Sequence, residues 1–155
     1  MSKGIGGHQS AKMISDTWLT PPEIITALGP FDLDPCAAPN MPWRTASRML
    51  TVADDGLTHD WTGSRVWLNP PYGREIEAWI RKAYEESKKG STVVCLVPAR
   101  TETAWWHDCC LKAEIRFVRG RIHFTDHKGR SGRPRFGSAM VIFRPERPIN
   151  AQSSD

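Results

Sequence analysis

Residues 66–73 read Val-Trp-Leu-Asn-Pro-Pro-Tyr-Gly, and no other stretch of the chain is as well equipped for chemistry. A short apolar run stops at Asn69. Two residues that cannot donate to a strand ladder follow, so a strand must end there. Asn69 brings a side-chain amide oxygen, Pro70 a backbone carbonyl, Pro71 a second fixed φ and Tyr72 an aromatic face. Together they form a rigid corner suited to a flat molecule that carries an NH2 group. An exocyclic amine on an aromatic ring is a poor nucleophile, because its lone pair is delocalised into the ring. The Asn69 oxygen and the Pro70 carbonyl can each accept one N–H, draw the nitrogen towards tetrahedral geometry and release the lone pair for attack. The prolines hold both acceptors in place before charge develops. Tyr72 can stack on the ring, a contact worth roughly 1–3 kcal/mol per base in single-strand binding. No general base has to touch the amine, whose proton can leave after the new bond has formed. The plain alternative is an ordinary proline-rich turn, since Asn-Pro and Pro-Pro punctuate many loops.

Such a corner needs a sheet to carry it. Thr20 stands where it can cap a short helix over 21–28, with proline in the first turn and Gly29 at the end. Residues 31–34 read as a buried strand ending at Pro35, and 92–97 as another ending at Pro98. Between the proline corner and the second strand, Ile76, Trp79, Ile80, Ala83 and Tyr84 recur at helical spacing, which predicts a helix over 74–89 that Gly90 stops. A second helix over 101–112 carries the Trp105-Trp106 pair. Residues 115–118, 122–124 and 139–143 are further strands, the last two expected to pair across a long basic loop. Strand–helix–strand alternation predicts an α/β protein with a largely parallel sheet and a C-terminal antiparallel strand pair. In such sheets ligands bind beyond the carboxyl ends of the strands. Asp34-Pro35-Cys36-Ala37 and Asn69-Pro70-Pro71-Tyr72 both stand at such ends and can face one crevice. The interval between them has room for little more than one helix or strand pair, so the sheet is expected to be reduced. Trp67, Trp79 and Phe124 are expected in the core, with Trp61 closing the site from below.

At 155 residues, 39% hydrophobic and 25% charged, the chain has the make-up of one soluble domain. That domain is expected over 16–147, between flexible tails at 1–15 and 148–155. The longest clearly apolar stretch, 93–99, is far below membrane-spanning length, and the polar start holds no signal-peptide core. A cytoplasmic monomer is the expectation. Cys36, Cys95, Cys109 and Cys110 lack Cys-x-x-Cys spacing, so reduced thiols are expected and no metal. His107 reads as a helix-surface residue.

Charge locates a polymer. Residues 112–147 hold ten Lys/Arg against three Asp/Glu, a balance of +7, while the rest of the chain carries −3. The excess lies in Arg119, Arg121, Lys128, Arg130, Arg133 and Arg135, interleaved with Gly129, Gly132 and Pro134. A flexible basic loop beside the proline corner is what phosphate contacts require.

Six stretches in order carry a family resemblance: Trp-Leu-Thr-Pro at 18–21, Phe-Asp-Leu-Asp-Pro-Cys-Ala at 31–37, Asp-Gly-Leu at 55–57 followed by Trp61, Leu-Asn-Pro-Pro-Tyr-Gly at 68–73, Leu-Val-Pro-Ala-Arg-Thr at 96–101 and Gly-Arg-Ile-His-Phe at 120–124. Over roughly residues 16–145 the chain resembles the phage-type, Dam-like DNA N6-adenine methyltransferases. The resemblance implies a Rossmann-like S-adenosylmethionine-dependent methyltransferase fold and methyl transfer to the N6 amine of adenine in double-stranded DNA. It also implies a bacterial host's cytoplasm as the place of action. A duplex hides that amine, so the base must be flipped out. By the same resemblance, the loop Asp34-Pro35-Cys36-Ala37 holds the cofactor, with Asp34 able to meet its α-ammonium group in a charge-assisted hydrogen bond. Asp55 is the candidate acceptor for the cofactor's adenine amine, Thr20 and Pro21 match the segment near its methionine end, and Asn69 borders cofactor and base alike. The chain departs from the pattern where Ala37-Ala38-Pro39-Asn40 replaces a Gly-x-Gly loop. Two alternatives stand beside this one: a methyltransferase for another planar amine, in RNA guanine or protein glutamine, and a DNA-binding module with a vestigial cofactor pocket.

Overall fold

The apolar run at 92–98 becomes an interior strand of a six-stranded sheet. A computed structural model describes residues 19–126 and 130–146, so the expected tails, Trp18, Lys128 and Gly129 lie outside the described residues. In chain order the strands are β1 (Leu33–Asp34), β2 (Arg48–Met49), β3 (Arg65–Leu68), β4 (Thr92–Pro98), β5 (Glu114–Phe117), β6 (Phe124–Thr125), β7 (Ser131–Gly132) and β8 (Ser138–Phe143). The helices are α1 (Pro22–Leu28), α2 (Ile76–Lys88) and α3 (Ala104–Asp108). The sheet order is β2-β1-β3-β4-β8-β5, and β6 pairs with β7 in a separate hairpin. Strands β2, β1, β3 and β4 run parallel, while β8 is antiparallel to both of its neighbours, β4 and β5.

The interior strands read as continuous apolar runs because both of their faces are covered. Val66 and Leu68 of β3, Val93, Cys95 and Val97 of β4, and Ala139, Val141 and Phe143 of β8 point to one face, under Ile76, Trp79, Ile80 and Ala83 of α2. Trp67, Val94, Leu96, Met140 and Ile142 point to the other, where Phe31, Ile122, Phe124 and the half-buried Ile24, Ile25 and Leu28 of α1 cover them. Trp67, Trp79 and Phe124 are thus core residues, as their sequence context predicts.

Three predicted features differ. The strand at 122–124 does not pair with 139–143: Phe124 pairs with Gly132, and β8 inserts between β4 and β5. All six β8 residues are buried, a condition that an interior position meets and a solvent-facing hairpin does not. The helix predicted over 101–112 is interrupted at Cys109 (φ −120°, ψ −56°), and Cys110–Lys112 tightens into a 3-10 turn, a common way for a helix to end. Thr20 does not cap α1: Pro21 occupies that position and makes no side-chain cap bond.

Candidate active site

The chain reverses its direction across the sheet at β1. From β1 it steps to β2 on one side, and β3 then lies on the other side, followed by β4. Beyond the carboxyl ends at such a switch point lies the crevice where open α/β sheets hold ligands. Leu33 is in register with Val66, so the segments leaving β1 and β3, 35–37 and 69–72, depart side by side. The two loops singled out by their prolines are brought together.

Asn69 is oriented by a residue far away in the chain. Its amide nitrogen donates to the Thr20 hydroxyl at 3.0 Å, which makes its oxygen the acceptor end. Thr20 is itself buried, and its carbonyl accepts the Trp43 indole N–H at 3.2 Å. Next to it, Leu19 forms an antiparallel bridge with Thr125, its N–H donating to the Thr125 carbonyl at 2.8 Å. Pro70 is buried, and no donor among the described residues bonds to its carbonyl. Tyr72 is half-buried and meets Phe124 edge-on, with ring centroids 6.3 Å apart. Its hydroxyl and that of Ser138 are buried and neither forms a well-shaped hydrogen bond. Burial holds the phenol well above its usual pKa, an effect that the nearby Ser138 hydroxyl only partly offsets.

Asp34 lies nearly sealed at the end of β1, 3% exposed. One carboxylate oxygen accepts the Cys36 N–H at 3.1 Å and the other accepts the Thr45 hydroxyl. Burial raises its pKa to about 6 despite these two bonds. Ala37 is tied to the segment after β2, its N–H donating to the Leu50 carbonyl at 2.8 Å. The Cys36 thiol is held protonated by burial, then by the nearby Asp34 and Glu75. Asp55 is exposed in the left-handed region (φ 52°), and its carboxylate has no hydrogen bond among the described residues. The loop that carries it presses on the β1 loop so closely that a Cβ on Gly56 would stand 1.9 Å from the Pro35 carbonyl oxygen. Trp61, fully buried, sits beneath that loop and donates its indole N–H to the Gly56 carbonyl at 3.0 Å.

The basic residues separate into two kinds. Arg119, Arg121, Arg133 and Arg135 are exposed and have no acidic partner among the described residues. Arg130 is partnered, bonding Asp126 through its backbone N–H at 2.8 Å and its side chain at 2.7 Å. A cleft of about 500 Å³ opens beside the Thr20 segment, walled by Pro21, Pro22, Pro42, Trp43, His123 and Asp126. Asn69 and Tyr72 are not among its walls. His107 is an exposed helix residue bonded to the Thr101 carbonyl at 2.7 Å.

Sequence reasoning misses Thr45, Trp43 and Ser138, because each acts through a tertiary contact with no local signature. Gly56 is different: a glycine after Asp55 is visible in the sequence, although its reason, the close approach of Pro35, is not.

The fold is that of an α/β protein with a mostly parallel sheet, and it sets the Asp34 and Asn69 loops side by side at the switch point. The chain belongs to the DNA N-6-adenine-methyltransferase (Dam) family, whose model matches residues 7–154. It is 27% identical over 131 residues to a DNA N-6-adenine-methyltransferase of Haemophilus phage HP1 (strain HP1c1), covering 80% of this chain and 73% of that protein. It is 30% identical over 105 residues to a DNA N-6-adenine-methyltransferase of Escherichia phage T1, covering 64% of this chain and 43% of that protein.

Proposed function

We propose that this protein transfers a methyl group from S-adenosylmethionine to N6 of adenine in double-stranded DNA, on a reduced Rossmann-like methyltransferase fold. One observation carries the reading: the Asp34 and Asn69 loops leave neighbouring parallel strands at the switch point, with Asn69 held by Thr20 so that its oxygen is the acceptor. The residues present fit the cofactor. The exposed Asp55 carboxylate is available to its adenine amine, and the tight contact of Gly56 with Pro35 keeps the two cofactor loops, 34–37 and 55–57, together. Each Asp34 oxygen keeps a second lone pair for the α-ammonium group after its bonds to Thr45 and Cys36. Thr20 and Pro21 border the methionine end.

When bound, S-adenosylmethionine would supply an electrophilic methyl group from a sulfonium that would leave as a neutral thioether, and the methylated amine would give up one proton to water. The protein's part is positioning and electrostatics. Asn69 and Pro70 accept the two N6 hydrogens, Pro71 fixes the turn, and the half-buried Tyr72 walls the base. Arg119, Arg121, Arg133 and Arg135 supply phosphate contacts that hold the duplex while the base is turned out.

Incubation with methyl-labelled cofactor and, separately, DNA, RNA and protein tests this. Label on adenine N6 of DNA is the expected result. Label on RNA guanine or protein glutamine would move the substrate to another planar amine, and absence of saturable cofactor binding would leave a DNA-binding module.

A further inference from the structure

Phe136 stands out among the exposed large apolar side chains because of where it is. It is 45% exposed and lies between Arg135 and Gly137, just ahead of β8. Val52 lies by the Asp55 loop and Leu111 beside the edge strand β5, while Phe117, on β5 in register with Ala139, packs on Trp106 with ring centroids 6.5 Å apart. The Gly137 carbonyl accepts the Ala99 N–H at 2.8 Å, and Pro98 is in register with Ser138. Phe136 is therefore anchored to the carboxyl end of β4, on the same rim as the proline corner. It is two residues from Ser138, the buried hydroxyl beside that of Tyr72.

The ring is braced from one side. The Arg100 guanidinium lies 4.6 Å from its centroid, and Arg100 is itself held by Glu102 at 2.6 Å. Exposed Arg133 and Arg135 precede it, and neither has an acidic partner among the described residues. An aromatic ring held out into solvent amid unpaired cations suits a polyanion with stacked, planar apolar units. Turning a base out of a duplex leaves a gap in the stack, and apolar side chains inserted between base steps are a known means of filling one.

Resting on the proposed adenine methylation, we propose that Phe136 is a positioning residue. It enters the base stack where the target adenine leaves and so stabilises the flipped state. Its contact is with the bases that remain in the duplex, and the methyl transfer itself takes place at the Asn69–Tyr72 corner.

The test compares two oligonucleotide duplexes carrying a site mapped on methylated plasmid DNA, one fully paired and one with the target adenine opposite an abasic position. Phe136→Ala should lower kcat/KM on the paired duplex at least tenfold and on the abasic duplex less than twofold. Phe136→Trp should retain most of the wild-type preference, and cofactor affinity should be unchanged in both variants. The fluorescence of 2-aminopurine at the target position, which rises when the base unstacks, should rise less with Phe136→Ala. Equal losses on both duplexes, or no loss on the paired one, would overturn the wedge. Wild-type protein that methylates neither duplex would instead overturn the methylation reading beneath it.

Discussion

The Thr20 hydroxyl accepts from the Asn69 amide instead of capping the first turn of α1, and in the proposed function that bond sets which end of the amide meets the base. Asp34 shows the opposite pressure, since burial works against its charge. Its folded pKa of about 6 lies above the ordinary 3.8. Between those values the folded state keeps a proton that the unfolded chain releases, so this group's contribution to stability falls as pH rises from about 4 to about 6. The ionised form costs on the order of 3 kcal/mol at neutral pH. That strain is released when a cation arrives, which is the role assigned to the cofactor's ammonium. S-adenosylmethionine affinity should therefore weaken about tenfold between pH 7 and pH 5 as Asp34 protonates. In Asp34→Asn it should be weaker at pH 7 and nearly flat with pH. Calorimetric titrations at a few pH values check this, and a flat wild-type profile would remove Asp34 from the cofactor's charge.

Among elements, the loops at 34–37 and 55–57 are pressed together as one unit. Gly56→Ala places a methyl group against the backbone oxygen of Pro35, which no side-chain rotation relieves. We expect a loss of about 1–3 kcal/mol in stability together with weaker cofactor binding. Thermal unfolding with and without S-adenosylmethionine measures both, and an unchanged midpoint and shift would show that the loops can separate freely. What was legible in the sequence follows the same division. The strand ends ahead of Pro35 and Pro70 were readable because the cause is local: a residue with no N–H cannot donate to a ladder. The core face of α2 was readable from its period, and Ile76, Trp79, Ile80 and Ala83 are all buried. The insertion of β8 was not, because an apolar run announces two covered faces without saying which strands lie beside it. The Thr20–Asn69 bond spans 49 positions, beyond any local pattern.

Across the whole molecule, charge and fold point the same way. The C-terminal excess of +7 sits on a chain otherwise at −3. Four of its arginines stand exposed without acidic partners among the described residues, as phosphate contacts require. The sheet sets two loops side by side, the family match runs along almost the entire chain, and no helix among the described residues is long and apolar enough to cross a membrane. In the proposed function all of this serves one event, the gripping of an adenine amine by an asparagine oxygen and a proline carbonyl. The most direct measurement is the yield of N6-methyladenine in plasmid DNA, by mass spectrometry of its nucleosides, for wild-type protein and Asn69→Ala at saturating cofactor. Wild-type protein should form the modified base and Asn69→Ala should form it about 100-fold more slowly. Equal rates from the two proteins would contradict the role given to that oxygen.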